Sequence, residues 1–127
     1  MIRALALACL ATGAQAEAPM TATAFAAYVE GRTIAFADAL GISAGVEQYL
    51  SGKRVIWSPQ PGTCLTGRWY AEGQAICFAY DGVDDPACWD LTLTPDGLRA
   101  ARAGGAPGAT LFEAGDSTAL VCDNLSS

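Results

Sequence analysis

The stretch Gly67-Arg68-Trp69-Tyr70-Ala71-Glu72-Gly73-Gln74-Ala75-Ile76-Cys77-Phe78 restricts the fold of this chain more than any other. Two apolar, aromatic runs flank Glu72-Gly73, and a glycine in the second turn position supplies the positive φ of a tight β-hairpin. Centring the turn there sets Ala71 against Gln74, Trp69 against Ile76 and Arg68 against Cys77. Strand side chains alternate between faces. Leu65, Gly67, Trp69, Ile76, Phe78 and Tyr80 then share one face, and Cys64, Thr66, Arg68, Tyr70, Cys77 and Ala79 the other. The first set is mostly large and apolar, so it is the core side. A slip of one residue would turn Trp69 and Phe78 to water, which holds the choice of face firmly.

How the cysteines are read depends on the N-terminus. Arg3 precedes an apolar run from Ala4 to Ala11, and Ala14-Gln15-Ala16 is an A-x-A cleavage signal followed by Glu17. This is the layout of a secretory signal peptide, and the run is shorter than the roughly 20 residues that span a bilayer. Ala6-Leu7-Ala8-Cys9 departs from a lipoprotein signal, which wants leucine three places before the cysteine. Cleavage after Ala16 leaves Glu17–Ser127, 111 residues and one domain's worth of chain.

Cleavage also removes Cys9 and leaves Cys64, Cys77, Cys88 and Cys122. An even number in a small exported domain implies two disulfides. If Gly82-Val83 forms the tip between Asp81 and Asp84, Cys77 lies opposite Cys88 on one face, which leaves Cys64 for Cys122. Chain-entropy arguments assign about 3 kcal/mol to the short loop and about 4 kcal/mol to the long one. Zinc is excluded as the alternative, since the chain has no C-x₂-C pair and no histidine.

The rest of the chain is punctuated as a helix followed by short strands. Thr21 or Thr23 caps a helix to about Glu30, with Phe25 and Val29 on one face and Gly31 as its stop. That stripe is expected to pack on the sheet or across one mouth of a barrel. Thr33–Ala37 reads as a strand, 38–45 as a loop, and Val46–Leu50 and Arg54–Ser58 as two strands about Ser51-Gly52-Lys53. Pro59-Gln60-Pro61-Gly62 reads as rigid punctuation outside any strand. Ala87–Leu93 is a strand with Trp89, Leu91 and Leu93 on one side and Cys88, Asp90 and Thr92 on the other. Pro95-Asp96-Gly97 is a turn, Leu98–Arg102 a strand, and 104–108 a loop. Thr110–Ala114 and Thr118–Cys122 are expected to form a last hairpin about Gly115-Asp116-Ser117. The fold class is therefore mainly β, with an N-terminal helix and an antiparallel meander curled into a sheet or small barrel.

Thr21–Arg32 leading into Thr33, Glu47-Gln48-Tyr49-Leu50, Gly67-Arg68-Trp69-Tyr70, Ile76-Cys77-Phe78 and Cys88-Trp89 together resemble a family of small exported alphaproteobacterial proteins of unknown function. The resemblance covers nearly all of the mature chain. It implies export and paired cysteines, and it assigns no activity, cofactor or catalytic residue.

Charge and composition narrow the function. Arg3 is the sole charged residue ahead of the cleavage point, so six basic and thirteen acidic residues leave the mature chain at −7. An acidic chain lacks the basic patches that nucleic acid or an anionic membrane surface demands. Without histidine there is no Ser-His-Asp or Cys-His catalysis, and no phosphate-binding glycine loop is present. A carboxylate-dependent hydrolase would need two acids in one cleft. Asp81, Asp84, Asp85 and Asp90 lack EF-hand spacing and read as a solvated turn.

Trp57, Trp69, Tyr70, Tyr80 and Trp89 are candidates for a ligand pocket as in lipocalin-like barrels, though Trp69 and Trp89 are expected to fill the core. Arg68 and Tyr70 fall on the outer face and are the first candidates for partner contact. The expectation is a monomeric, non-catalytic binding module of the periplasm or exterior, without a cofactor, whose partner is a protein or a small molecule. A structural or interaction protein of the envelope is the alternative. A closed barrel with an open apolar mouth would favour the small molecule; a filled interior would favour protein contact.

Overall fold

The computed structural model describes residues 6–9 and 18–125. The leader assigned to residues 1–16 lies mostly outside them; within it, Cys9 is exposed in a stretch without secondary structure. From Ala22 onward the chain forms one helix, α1 (Ala22–Val29), and eight strands. These are β1 (Thr33–Ala37), β2 (Ser43–Tyr49), β3 (Arg54–Gln60), β4 (Thr63–Glu72), β5 (Ala75–Tyr80), β6 (Ala87–Thr94), β7 (Gly97–Arg102) and β8 (Leu111–Asp116). Each strand pairs antiparallel with the next, and β8 pairs with β1 to close the barrel. Closure removes the unpaired edges that an open meander would expose.

The central hairpin keeps its faces but not its pairing. Glu72 pairs with Ala75, so the turn is Gly73-Gln74, with Gly73 at φ +59° in the first central position. Trp69 therefore faces Phe78 rather than Ile76, and Tyr70 rather than Arg68 faces Cys77. Moving the turn by one residue changes each partner by two, which leaves every side chain on its expected side. Trp69, Ile76 and Phe78 are buried.

Cys77 faces Cys88 across β5 and β6, and the two are joined. Cys64 of β4 is joined to Cys122. The Asn124 side chain accepts from the Cys64 N–H at 2.8 Å and donates to the Cys64 carbonyl at 2.9 Å, which ties the tail down beside this disulfide.

Two sequence expectations are corrected. β3 runs through Pro59 to Gln60, where the β3–β4 pairing is irregular between Trp57 and Gln60. A proline is tolerated at such a bulge because no ladder bond needs its missing N–H. Ser58 stabilises the bend by donating to the Gln60 carbonyl at 2.8 Å. Thr118–Cys122 is not a strand. Both edges of β8 are already taken, by β7 and by β1, so no partner remains for a final hairpin. The tail forms only a single parallel bridge, Gly62 with Cys122.

Helix α1 stoppers one end of the barrel. Thr21 Oγ1 accepts from the Ala24 N–H at 3.1 Å, as an N-cap should. Met20 N–H donates to the Leu91 carbonyl and Gly31 N–H to the Tyr49 carbonyl, so both helix ends are fastened to the strands. Phe25, fully buried, meets Tyr49, Trp69 and Phe78 edge-to-face at 5.7, 4.9 and 6.3 Å between centroids. Arg32, just after the helix, bonds Glu113 at 2.8 Å and Asp116 at 2.7 Å on β8. Tyr28 donates to Glu113 at 2.7 Å. These contacts close this end of the barrel with the helix.

Candidate functional site

The other end of the barrel is not filled. The inward positions there include small residues: Gly45 on β2, Gly67 on β4, Ala87 on β6 and Ala100 on β7. Both glycines are required by close packing. A Cβ on Gly45 would strike the Trp57 indole and the Ser58 carbonyl, and one on Gly67 would strike the Ala79 carbonyl and the Tyr80 ring. Each lets a large aromatic lie flat against the strand. The space left is a cavity of about 160 Å³ that opens to solvent, walled by Phe36, Tyr49, Trp57, Phe78, Tyr80 and Trp89. A volume near 150 Å³ admits one benzene-sized ring.

Into this apolar space projects one acid. Glu47 of β2 lines the cavity and is only 2 % exposed. Its Oε1 accepts from the Tyr80 hydroxyl at 2.8 Å, while Oε2 is buried with no hydrogen-bond partner. An unpaired buried carboxylate oxygen is costly, and the usual relief is protonation. Burial accordingly pushes the Glu47 carboxyl up to about 8, against the opposing pull of the Tyr80 hydrogen bond. Tyr80 and Tyr49 are both raised well above the ordinary phenol range, by burial first and by the Glu47 charge second. All three groups are therefore held in their neutral forms near pH 7.

The sequence candidates divide between the two sides of the wall. Trp57, Tyr80 and Trp89 line the cavity. Trp89 packs against the core as expected but is only half-buried, and the Arg102 guanidinium stacks on its ring at 4.8 Å. Trp69 does fill the core, beneath Phe25. Arg68 is exposed and Tyr70 half-buried on the outer face of β4, so neither belongs to the cavity. The Asp81 turn is local: Asp81 accepts from the Thr66 hydroxyl at 2.6 Å, and Asp84 and Asp85 are exposed.

Glu47 was missed as a candidate. In Val46-Glu47-Gln48-Tyr49-Leu50 the apolar alternation favours Val46 and Leu50 as the inward set, whereas the barrel turns Gly45, Glu47 and Tyr49 inward. Tyr49, opposite Val55 on the neighbouring strand, was the available clue.

Fold and site together define a small eight-stranded barrel, stoppered by a helix at one end and carrying an aromatic cavity with a single buried acid at the other. Comparison with protein-family models, with curated proteins and with solved structures returned no match.

Proposed function

We propose that this protein is an exported, non-catalytic binding module that holds a small, one-ring ligand inside the barrel. The observation that carries the reading is the unfilled interior. A barrel that served only as a scaffold or a protein-contact surface would gain stability by filling the space, since each buried CH₂ contributes about 0.8 kcal/mol. This chain instead keeps Ala87 and Ala100 in the cavity wall, where larger side chains would fill the space, and it keeps an acid there whose Oε2 has no partner.

Export is supported by the leader-like N-terminus and by two disulfides, which persist in oxidising compartments. A non-catalytic role accords with the cavity wall, where Glu47 is the single carboxylate among the described residues. The paired-acid chemistry of glycoside hydrolysis needs a second acid there.

The test is a cavity-filling substitution. Ala100 lines the cavity and is 5 % exposed. The Ala100→Leu protein should keep its near-UV circular dichroism and lose binding of one-ring probes, followed by tryptophan fluorescence, that the wild type binds. Equal binding by the folded variant would place the ligand elsewhere and refute the reading.

A further inference from the structure

We propose that the ligand is a primary or secondary amine of one-ring size, bound as its ammonium form between the aromatic walls with Glu47 Oε2 as its counter-ion. This rests on the binding reading above and adds the charge of the occupant.

The cavity offers two things to a guest. Its walls are aromatic faces, and the faces of tryptophan, tyrosine and phenylalanine attract cations through the ring quadrupole. The protein already uses one in this way, with the Arg102 guanidinium over Trp89 at 4.8 Å. Its second asset is Glu47, which lines the cavity and whose Oε2 is buried and unbonded. Among the described residues no lysine or arginine lines the cavity, so nothing in that wall competes for the oxygen. An ammonium N–H satisfies the oxygen with a charge-assisted bond, stronger than any a neutral donor makes. The rest of a one-ring amine is apolar and matches the remaining wall. The acidic chain, net −6 over its full length, also draws cations toward itself.

Proton balance follows from the groups that face Glu47. Tyr80 from β5 donates to it, and Tyr49 lies two residues away on its own strand. Across β1, Glu113 is bonded to Arg32 at the helix end, and Arg102 of β7 sits on Trp89. Neither arginine bonds Glu47. Without a cation beside it Glu47 is held as the neutral acid near pH 7, and the ammonium displaces that proton. The carboxylic O–H breaks, the proton goes to bulk water, and an N–H···Oε2 bond forms; the amine stays charged throughout. Below the Glu47 titration, affinity for the amine should rise about tenfold per pH unit.

The test uses the mature protein with benzylamine and its neutral isostere, benzyl alcohol, by titration calorimetry at pH 6.5 in two buffers of different ionisation heat. Benzylamine should bind at least tenfold more tightly than the alcohol and release close to one proton, and Glu47→Gln should abolish both the preference and the release. Benzyl alcohol binding as well as the amine, or amine binding without proton release, would overturn the inference and leave the cavity reading standing. Failure of both probes to bind would overturn both.

Discussion

The Tyr80 hydroxyl donates its one hydrogen bond to Glu47 Oε1 at 2.8 Å and leaves Oε2 buried without a partner. Tyr80 can reach that acid because its ring lies over Gly67, where any Cβ would push it away. The polar centre of the cavity is thus a consequence of strand pairing between β4 and β5.

Glu47 should make the fold pH-sensitive. Its carboxyl titrates at about 8 in the folded chain, against an ordinary value of 4.5. A group raised in this way stabilises the fold fully below the lower value, and that contribution is lost as pH rises toward the higher one. Between pH 4.5 and 8 the loss is on the order of 4 kcal/mol. Glu47→Gln, which mimics the neutral acid, should match the wild type near pH 5 and exceed it near pH 8.5 in urea denaturation. Parallel pH curves for the two proteins would show that Glu47 is not buried as described.

Phe25 is the stopper residue, fully buried against three aromatic rings. Phe25→Ala should cost about 3–5 kcal/mol, since little around a closed barrel can collapse into the vacated space. Thermal unfolding followed by circular dichroism measures the loss. A cost below about 1 kcal/mol would mean that the helix docks weakly.

Export and oxidation make a joint prediction. Expressed with its leader in a Gram-negative host, the protein should be recovered from the periplasm with the mass of Glu17–Ser127 and no free thiol. Replacing Cys64 and Cys122 by alanine should cost about 4 kcal/mol, and replacing Cys77 and Cys88 about 3 kcal/mol, because the longer loop releases more chain entropy. Recovery of an uncleaved chain with free thiols would contradict the export reading.

Much of the fold is legible in the residues themselves. A cap at Thr21 or Thr23, the Phe25/Val29 stripe and the Gly31 stop mark a helix that the structure contains nearly to the residue, with Thr21 as the cap. The Cys77–Cys88 pairing follows from one turn assignment, and Cys64–Cys122 follows from it by elimination. The choice between Glu72-Gly73 and Gly73-Gln74 as the turn is not legible, because glycine tolerates positive φ in either central position and two-residue alternation keeps the same faces for both. Barrel closure was not decidable locally. The β1–β8 pairing joins segments from opposite ends of the fold, and no short-range pattern encodes it. The same pairing removed the expected last strand. Three aromatics of the cavity wall, Trp57, Tyr80 and Trp89, are legible as pocket residues, but the size of the space is not, because side chains from several strands set it jointly and Ala87 and Ala100 alone read as ordinary strand residues.

The most direct test maps a bound ligand onto the tryptophans. The chain has three, and they report on separate places: Trp57 and Trp89 line the cavity, and Trp69 lies in the core beneath Phe25. Nitrogen-15 spectra of the labelled protein, titrated with benzylamine, should show the Trp57 and Trp89 indole signals moving to saturation while that of Trp69 moves little. Shifts confined to the outer face around Arg68 and Tyr70, or no saturable shift at either cavity indole, would contradict the account.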